Sequence, residues 1–280
     1  MSELTTEPLS PLPRVPSSRV LPVLVVTVEA VALLSWFLST PPGLLGKADA
    51  IGYAICHRID GRSFHLGDRQ FPLCARCTGM YLGALLGIVG MLLMGRGRAG
   101  LMPTRWVLVV LVGFMATMGV DGLNSYATFF PGVPHLYEPR NWLRLVTGTL
   151  NGLFLAALIL PVLNQTLWKH WEARPVLGNF RELAVLVLAA AVVVALVLSD
   201  QVVVLYPLAL LSAVGVLALV VLLNTTILLI GLRRENRAEG WRGALAPLLA
   251  GLTLAIIEIG MVDAVRFAIF GNWGGMPLPG

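Results

Sequence analysis

Charge is what this chain has least of. Asp, Glu, Lys and Arg make up 12% of its 280 residues, where soluble domains carry about 25%. Beside a hydrophobic content of 57% and a mean hydropathy of +0.82, that shortfall argues against a soluble enzyme and for a membrane protein. Lysine is almost missing, since eighteen of the twenty basic residues are Arg. The net charge of +5 comes without a run of basic residues beside aromatics, which excludes nucleic acid as a partner. It points instead to membrane topology and anionic headgroups. Cysteine is scarce too. Three cysteines leave one over from any pairing, which argues against a purely structural disulfide framework, and all three fall within residues 56–77. No loop is long enough to hold a separate soluble domain.

Long apolar runs are what the chain has in abundance. About 20 apolar residues cross a hydrocarbon layer of roughly 30 Å. Seven stretches qualify: 20–38, 78–95, 105–122, 142–162, 183–199, 207–231 and 243–262. They predict an all-α polytopic membrane helix bundle of about seven transmembrane helices. Ser199, Asp200, Gln201, Tyr206 and Pro207 break the fifth run from the sixth, as a tight hairpin would. The first run exceeds the apolar core of a signal peptide, about 7–15 residues, and reads as an uncleaved helix. Residues 1–19 are rich in Pro, Ser and Thr and read as a disordered cytoplasmic N-terminus. The transmembrane domain is expected over 20–270, with a Cys/His loop at 39–77, and residues 271–280 read as a flexible tail.

Basic residues orient the bundle. With the N-terminus cytoplasmic, twelve Lys and Arg fall inside and eight outside. The chain is then expected in the cell membrane with the Cys/His loop outside. Seven spans also place the polar stretch after the third run, and Glu258, Asp263 and Arg266 near the end of the seventh, on the face of that loop. One composite site is the expectation. Two helix starts echo each other: "RCTGMYLG" and "RLVTGTLNG" each set an Arg before Thr-Gly and a second Gly four residues on. Gly79, Gly83 and Gly87, and Gly148 and Gly152, form small-residue stripes that let backbones approach in lipid.

The segment "CHRIDGRSFHLGDRQFPLCARCTG" supports three readings. Cys56, Cys74 and Cys77 with His57 match the mixed thiolate and imidazole ligands of zinc, and Cys-x-x-Cys grips one metal from a turn. His65 is the other candidate for the fourth ligand. Alternatively, Cys77 at the start of a helix and beside Arg76 has the electropositive surroundings of a redox thiol. A thiol–disulfide oxidoreductase would then use Cys74 and Cys77, with Cys56 as a resolving partner. The third reading is a structural disulfide with one thiol left over.

Asp121 and Asn124, one turn apart, precede Asn141 and Arg144, with Arg62 and Arg76 available from the first loop. Arginine forks suit carboxylate or phosphate, so Asp121, Asn124, Arg144 and Glu258 are the candidate catalytic or binding residues of an adjoining polar pocket. The expected partners are the lipid bilayer and an anionic lipid or lipid-linked substrate. With three firm ligands, a zinc ion has an open position to activate water, and Glu258 or Asp121 would serve as general base. Glu29, in the middle of the first run, supports a third class, a non-enzymatic subunit or transporter.

Cys56-His57, then Arg62-Ser63-Phe64, then Pro72, Cys74, Arg76, Cys77, Gly79, Tyr81 and Gly83 form one motif. Asp121-Gly122, Arg144 and Thr147-Gly148 follow. Together they resemble a family of multi-pass prokaryotic membrane proteins known as a domain of unknown function, over roughly residues 50–152. The resemblance implies a membrane protein with a Cys/His site and carries no activity with it.

Overall fold

A computed structural model describes residues 20–130 and 132–275. The N-terminal lead-in and the last five residues of the tail lie outside the described residues. Eight helices are seen there: α1 (Val20–Ser39), α2 (Leu44–Ile55), α3 (Ala75–Leu93), α4 (Arg105–Ala127), α5 (Asn141–Leu167), α6 (Phe180–Leu198), α7 (Val202–Gly231) and α8 (Trp241–Phe270). Six of them are long and apolar enough to cross a membrane, and α1 with α2, bent by 104°, makes a seventh if the pair counts as one span. The architecture is an all-α polytopic membrane bundle.

The seven expected runs return as α1 and α3–α8, mostly longer. α5 continues past residue 162 because its polar end is used: Asn164 Nδ2 donates to the Ala99 carbonyl at 2.9 Å and Gln165 to that of Gly100. α7 begins at Val202, not beyond Pro207: the chain turns at Asp200 (φ +56°), and the proline, in the second turn, removes one helical bond without ending the helix. α8 runs on to Phe270 because two buried charges there find partners, Asp263 in Trp36 and Arg266 in backbone carbonyls. α2 is new. Pro41, Pro42 and Gly43 (φ +80°) stop α1 and turn the chain, and the short helix that follows carries Lys47 and Asp49, too polar to read as a span.

α5 is the central helix, the most buried of the spans, whereas α4 and α6 are mostly exposed, as lipid-facing helices are. α3 and α5 run parallel and in contact along the glycine stripes. A Cβ at Gly79 would strike the Leu145 carbonyl and Thr149; one at Gly148 would strike the Arg76 carbonyl and Met80. Gly83 meets the Thr149 carbonyl, and Gly152 that of Met80. Each contact has its reciprocal, so the two echoed segments pack about a local two-fold axis. The small residues serve backbone approach.

Each end of the bundle carries short strands. At one, β1 (Ser63–Leu66) and β2 (Arg69–Cys74) form an antiparallel hairpin after a 3-10 turn at Asp60–Arg62. At the other, β3 (Ala99–Leu101) pairs in parallel with β4 (Glu172–Pro175), and Trp168 bridges to Ala238. That second end joins the basic loops, with Arg96 bound to Glu182 and Lys169 to Glu239.

Candidate metal centre and arginine cluster

Three backbone elements deliver the thiols. Cys56 follows α2, Cys74 ends β2 and stands at the N-cap of α3, and Cys77 lies in the first turn of α3. Their Sγ atoms all lie within 4.8 Å of one another, and all three are free thiols. Cys56 and Cys74 are buried. Two backbone N–H groups donate to Cys56 Sγ, those of Arg58 at 3.4 Å and Cys74 at 3.3 Å. Arg58 sits in a left-handed turn with φ +49°, a conformation uncommon for a bulky residue.

Hydrogen bonds from the Cys74 and then the Cys77 thiol hold Cys56 well below the ordinary thiol range, against its burial. The same bond to Cys56, together with burial, pushes Cys74 up to about 12.

His57 Nδ1 lies 3.7 Å from Cys56 Sγ, while the set that is mutually within ligand range comprises the three sulfurs. His65 is bound instead to Asp60, Nε2 to Oδ1 at 2.9 Å, on the exposed hairpin.

The loop around Cys56 is held from three sides. Arg58 pairs with Asp49 of α2 at 3.0 Å, and Arg69 with the other oxygen of Asp49 at 2.5 Å. Arg266 of α8 donates to the carbonyls of Cys56, at 2.8 Å, and Tyr53, and lies 4.0 Å from the Tyr53 ring centre. The segment expected as a loose tail turns back at Gly271 (φ +68°). Trp273 then packs on Tyr53 and Phe267, and its carbonyl accepts from Arg58. Arg266→Gln should loosen this clamp. Cys56 of metal-free protein is expected to be alkylated about tenfold faster in that variant; an unchanged rate would show that Arg266 does not restrain the loop.

Beside the thiols lies the arginine cluster. Arg76 points away from the sulfurs and pairs with the buried Asp121, its Nε at 3.1 Å from Oδ2. Ser125 is the hub: its hydroxyl accepts from Arg76 at 3.1 Å and Arg144 at 3.3 Å, and its carbonyl from Arg62 at 3.2 Å. Arg62 also lies 3.8 Å from the Phe129 ring centre. The Tyr137 hydroxyl donates to Asp121 Oδ1 at 2.9 Å, and burial with that bond pushes the phenol up to about 12. Asn124 clips the following loop through the Leu136 N–H at 2.6 Å and the Tyr137 carbonyl at 2.8 Å. Asn141, bound to Arg144 at 2.8 Å, donates to the carbonyls of Gly61 and Ser63, each at 3.3 Å. Three guanidinium groups thus gather at Ser125, and one of them, Arg76, holds the Asp121 carboxylate.

The structure brings Asp121, Asn124 and Arg144 together, and both Asp121 oxygens are engaged. Glu258 takes a different place. It accepts from Asn224 of α7 at 2.8 Å and lies eight residues, about 12 Å along α8, before Arg266. It makes no ion pair with Arg144, which is bonded to Ser125 and Asn141. Sequence reasoning did not single out Ser125, Tyr137 or Asp49. Only the serine spaced four residues after Asp121, one helical turn on, was a signal that could have been read.

Fold and site together define a polytopic helical membrane protein with a three-cysteine cluster of metal-binding spacing at one end of its bundle. A family profile described as predicted membrane protein (DUF2085) matches residues 56–158, from Cys56 into the second half of α5. The chain is 35% identical over 107 residues to an uncharacterized protein of Methanothermobacter thermautotrophicus, covering 37% of this chain and 83% of the other. It is 28% identical over 123 residues to an uncharacterized protein of Methanocaldococcus jannaschii, covering 44% and 72%. The chain belongs to this family of predicted membrane proteins. No solved structure matches it.

Proposed function

We propose that this membrane protein holds a transition metal, zinc, on Cys56, Cys74 and Cys77, with His57 as the adjacent fourth donor, and that the arginine cluster beside it binds an anionic lipid or lipid-linked substrate. One observation carries the metal reading: three buried or half-buried sulfurs converge within 4.8 Å while two backbone N–H groups donate to one of them. Thiols so close cannot all ionise without a cation, and N–H donors stabilise a metal-bound thiolate. His57 Nδ1 lies 3.7 Å from Cys56 Sγ. Held by three sulfurs alone, zinc would keep an open position able to lower the pKa of a bound water.

Support for the anionic ligand comes from charge and shape. Arg62, Arg76 and Arg144 outnumber Asp121 by two. A groove of about 560 Å³ between α4 and α5, lined by Met115, Met118, Leu155 and Phe154, has Arg76 at its margin. Apolar walls under a guanidinium suit an acyl chain beneath a phosphate. The loop bearing this site is assigned to the outer face, with the basic loops of the other end cytoplasmic.

The thiol–disulfide reading draws on Cys74 and Cys77 at the helix N-terminus. It is weakened by Arg76, whose charge is taken up by Asp121. Metal analysis by mass spectrometry, with thiol titration, decides between the readings on detergent-purified protein. About one zinc per chain is expected in the wild type and less than a tenth of that in Cys74→Ser. Absence of metal with two of the three thiols oxidised would overturn the metal site in favour of a disulfide.

A further inference from the structure

On the other side of the bundle, a cavity of about 400 Å³ lies between α1 and α8. Its walls are mainly apolar, with the rings of Trp36, Phe267 and Trp273 among them, and the Ser35 and Ser39 hydroxyls at its edge. Asp263 also lines it and is 3% exposed. One oxygen of that carboxylate accepts from Trp36 Nε1 at 3.2 Å. The other, Oδ1, is buried and has no hydrogen-bond partner among the described residues.

An ionisable side chain at this depth is retained against a large desolvation cost and defaults to a function, with its partner to be named. The basic residues nearby form no ion pair or hydrogen bond with it. Arg266, three residues on, spends Nη1 on the Cys56 and Tyr53 carbonyls and lies over the Tyr53 ring, while its Nε and Nη2 are buried without partners among the described residues. Lys47 Nζ is held by the carbonyls of Phe37 and Thr40 and by the Thr40 hydroxyl. Neither pairs with Asp263. Glu29, seven residues before Trp36 and so on the same face of α1, adds a second buried acid beneath the cavity.

We propose that this cavity is a binding site for a primary ammonium group carried on an apolar tail, with Asp263 as its counter-ion. The unpartnered oxygen requires an N–H donor, which a quaternary ammonium lacks. Aromatic faces attract a cation once water is excluded, and Lys47 already rests 5.8 Å from the ring centre of Trp36, a wall of the cavity. The apolar walls suit the tail. The headgroup of an aminophospholipid and a free alkylamine share this chemistry, and no cysteine lines the cavity.

Full-length protein in nanodiscs tests the idea with three probes: phosphatidylethanolamine, phosphatidylcholine of the same acyl chains, and n-octylamine. Wild type is expected to retain phosphatidylethanolamine about tenfold over phosphatidylcholine, or to bind octylamine saturably. Asp263→Asn should lose either preference about tenfold. Ala264→Leu, at the exposed lip, should lose it by filling the cavity without touching the acid, and it carries the test if the Asn variant does not fold. Displacement of the phospholipid by octylamine assigns the site to amines in general; a phospholipid preference that octylamine does not displace assigns it to the lipid. Equal retention of the two phospholipids with no octylamine binding would overturn the proposal, as would a folded Asp263→Asn or Ala264→Leu variant that binds like wild type.

Discussion

Arg76→Met is expected to destabilise the folded protein by about 3–5 kcal/mol, because it strands the Asp121 carboxylate. Asp121 is 1% exposed, and after the substitution only the Tyr137 hydroxyl, 2.9 Å away, remains of its side-chain partners. The cost is one of desolvation, so it should shrink when the charge goes as well. The double variant Arg76→Met with Asp121→Leu should recover more than half of the loss, a coupling that a double-mutant cycle isolates. Thermal unfolding in detergent reads this as a fall in midpoint on the order of 10 °C for the single variant, partly restored in the double. Equal midpoints for the two would mean that the pair does not hold α3 to α4.

Gly83→Leu should have an effect of similar or larger size by a different route. Its Cβ would occupy the position of the Thr149 carbonyl, so α3 and α5 must separate along their whole contact. Overpacking of a tight core costs about 1–3 kcal/mol, and a backbone-to-backbone clash lies at or beyond the top of that range. Because Cys74 caps α3 and Cys77 lies in its first turn, the displacement should reach the thiols, and metal held at the proposed site should fall together with the unfolding midpoint. Gly113→Ala and Gly119→Ala on α4 are the controls. Nothing lies within 4 Å of a Cβ at either position, and alanine favours the helix by about 0.5–1 kcal/mol over glycine. They should match or slightly exceed the wild type in stability. A Gly83→Leu protein as stable as these controls would remove the glycine contact from the account of the fold.

These two predictions rest on features legible to different degrees. The Gly79, Gly83, Gly148 and Gly152 spacing could be read directly, and so could the packing it serves, because a helical repeat of four places small residues on one face whatever surrounds it. What they pack against could not be read. That the two stripes meet each other, in parallel and reciprocally, depends on which helices become neighbours. The Arg76–Asp121 pair joins residues 45 apart, and no local pattern links them.

Glu258 shows the opposite error. Counting spans placed it toward the face of Asp121, and α8 does pass that face, but Arg266 is the α8 residue that reaches the cysteine loop. A run of apolar residues marks a span and leaves its depth free by two turns or more. α2 was missed for a related reason. Its helix is short and partly polar, and it exists because Pro41, Pro42 and Gly43 bend the chain while Gly46 and Gly52 let it lie against the backbone of Pro41 and Pro72.

The amino-acid sequence by itself determined the membrane bundle, the number and order of its long helices, and the confinement of all three cysteines to one loop. Hydrophobic burial and helical periodicity are local properties, and a 20-residue apolar segment has few alternatives in lipid. The tertiary structure decided the rest: that Cys56 joins Cys74 and Cys77 across 18 residues, that Ser125 gathers three arginines, and that Asp263 faces a cavity. Each of these depends on side chains from separate helices meeting, and such meetings follow from how the whole bundle packs.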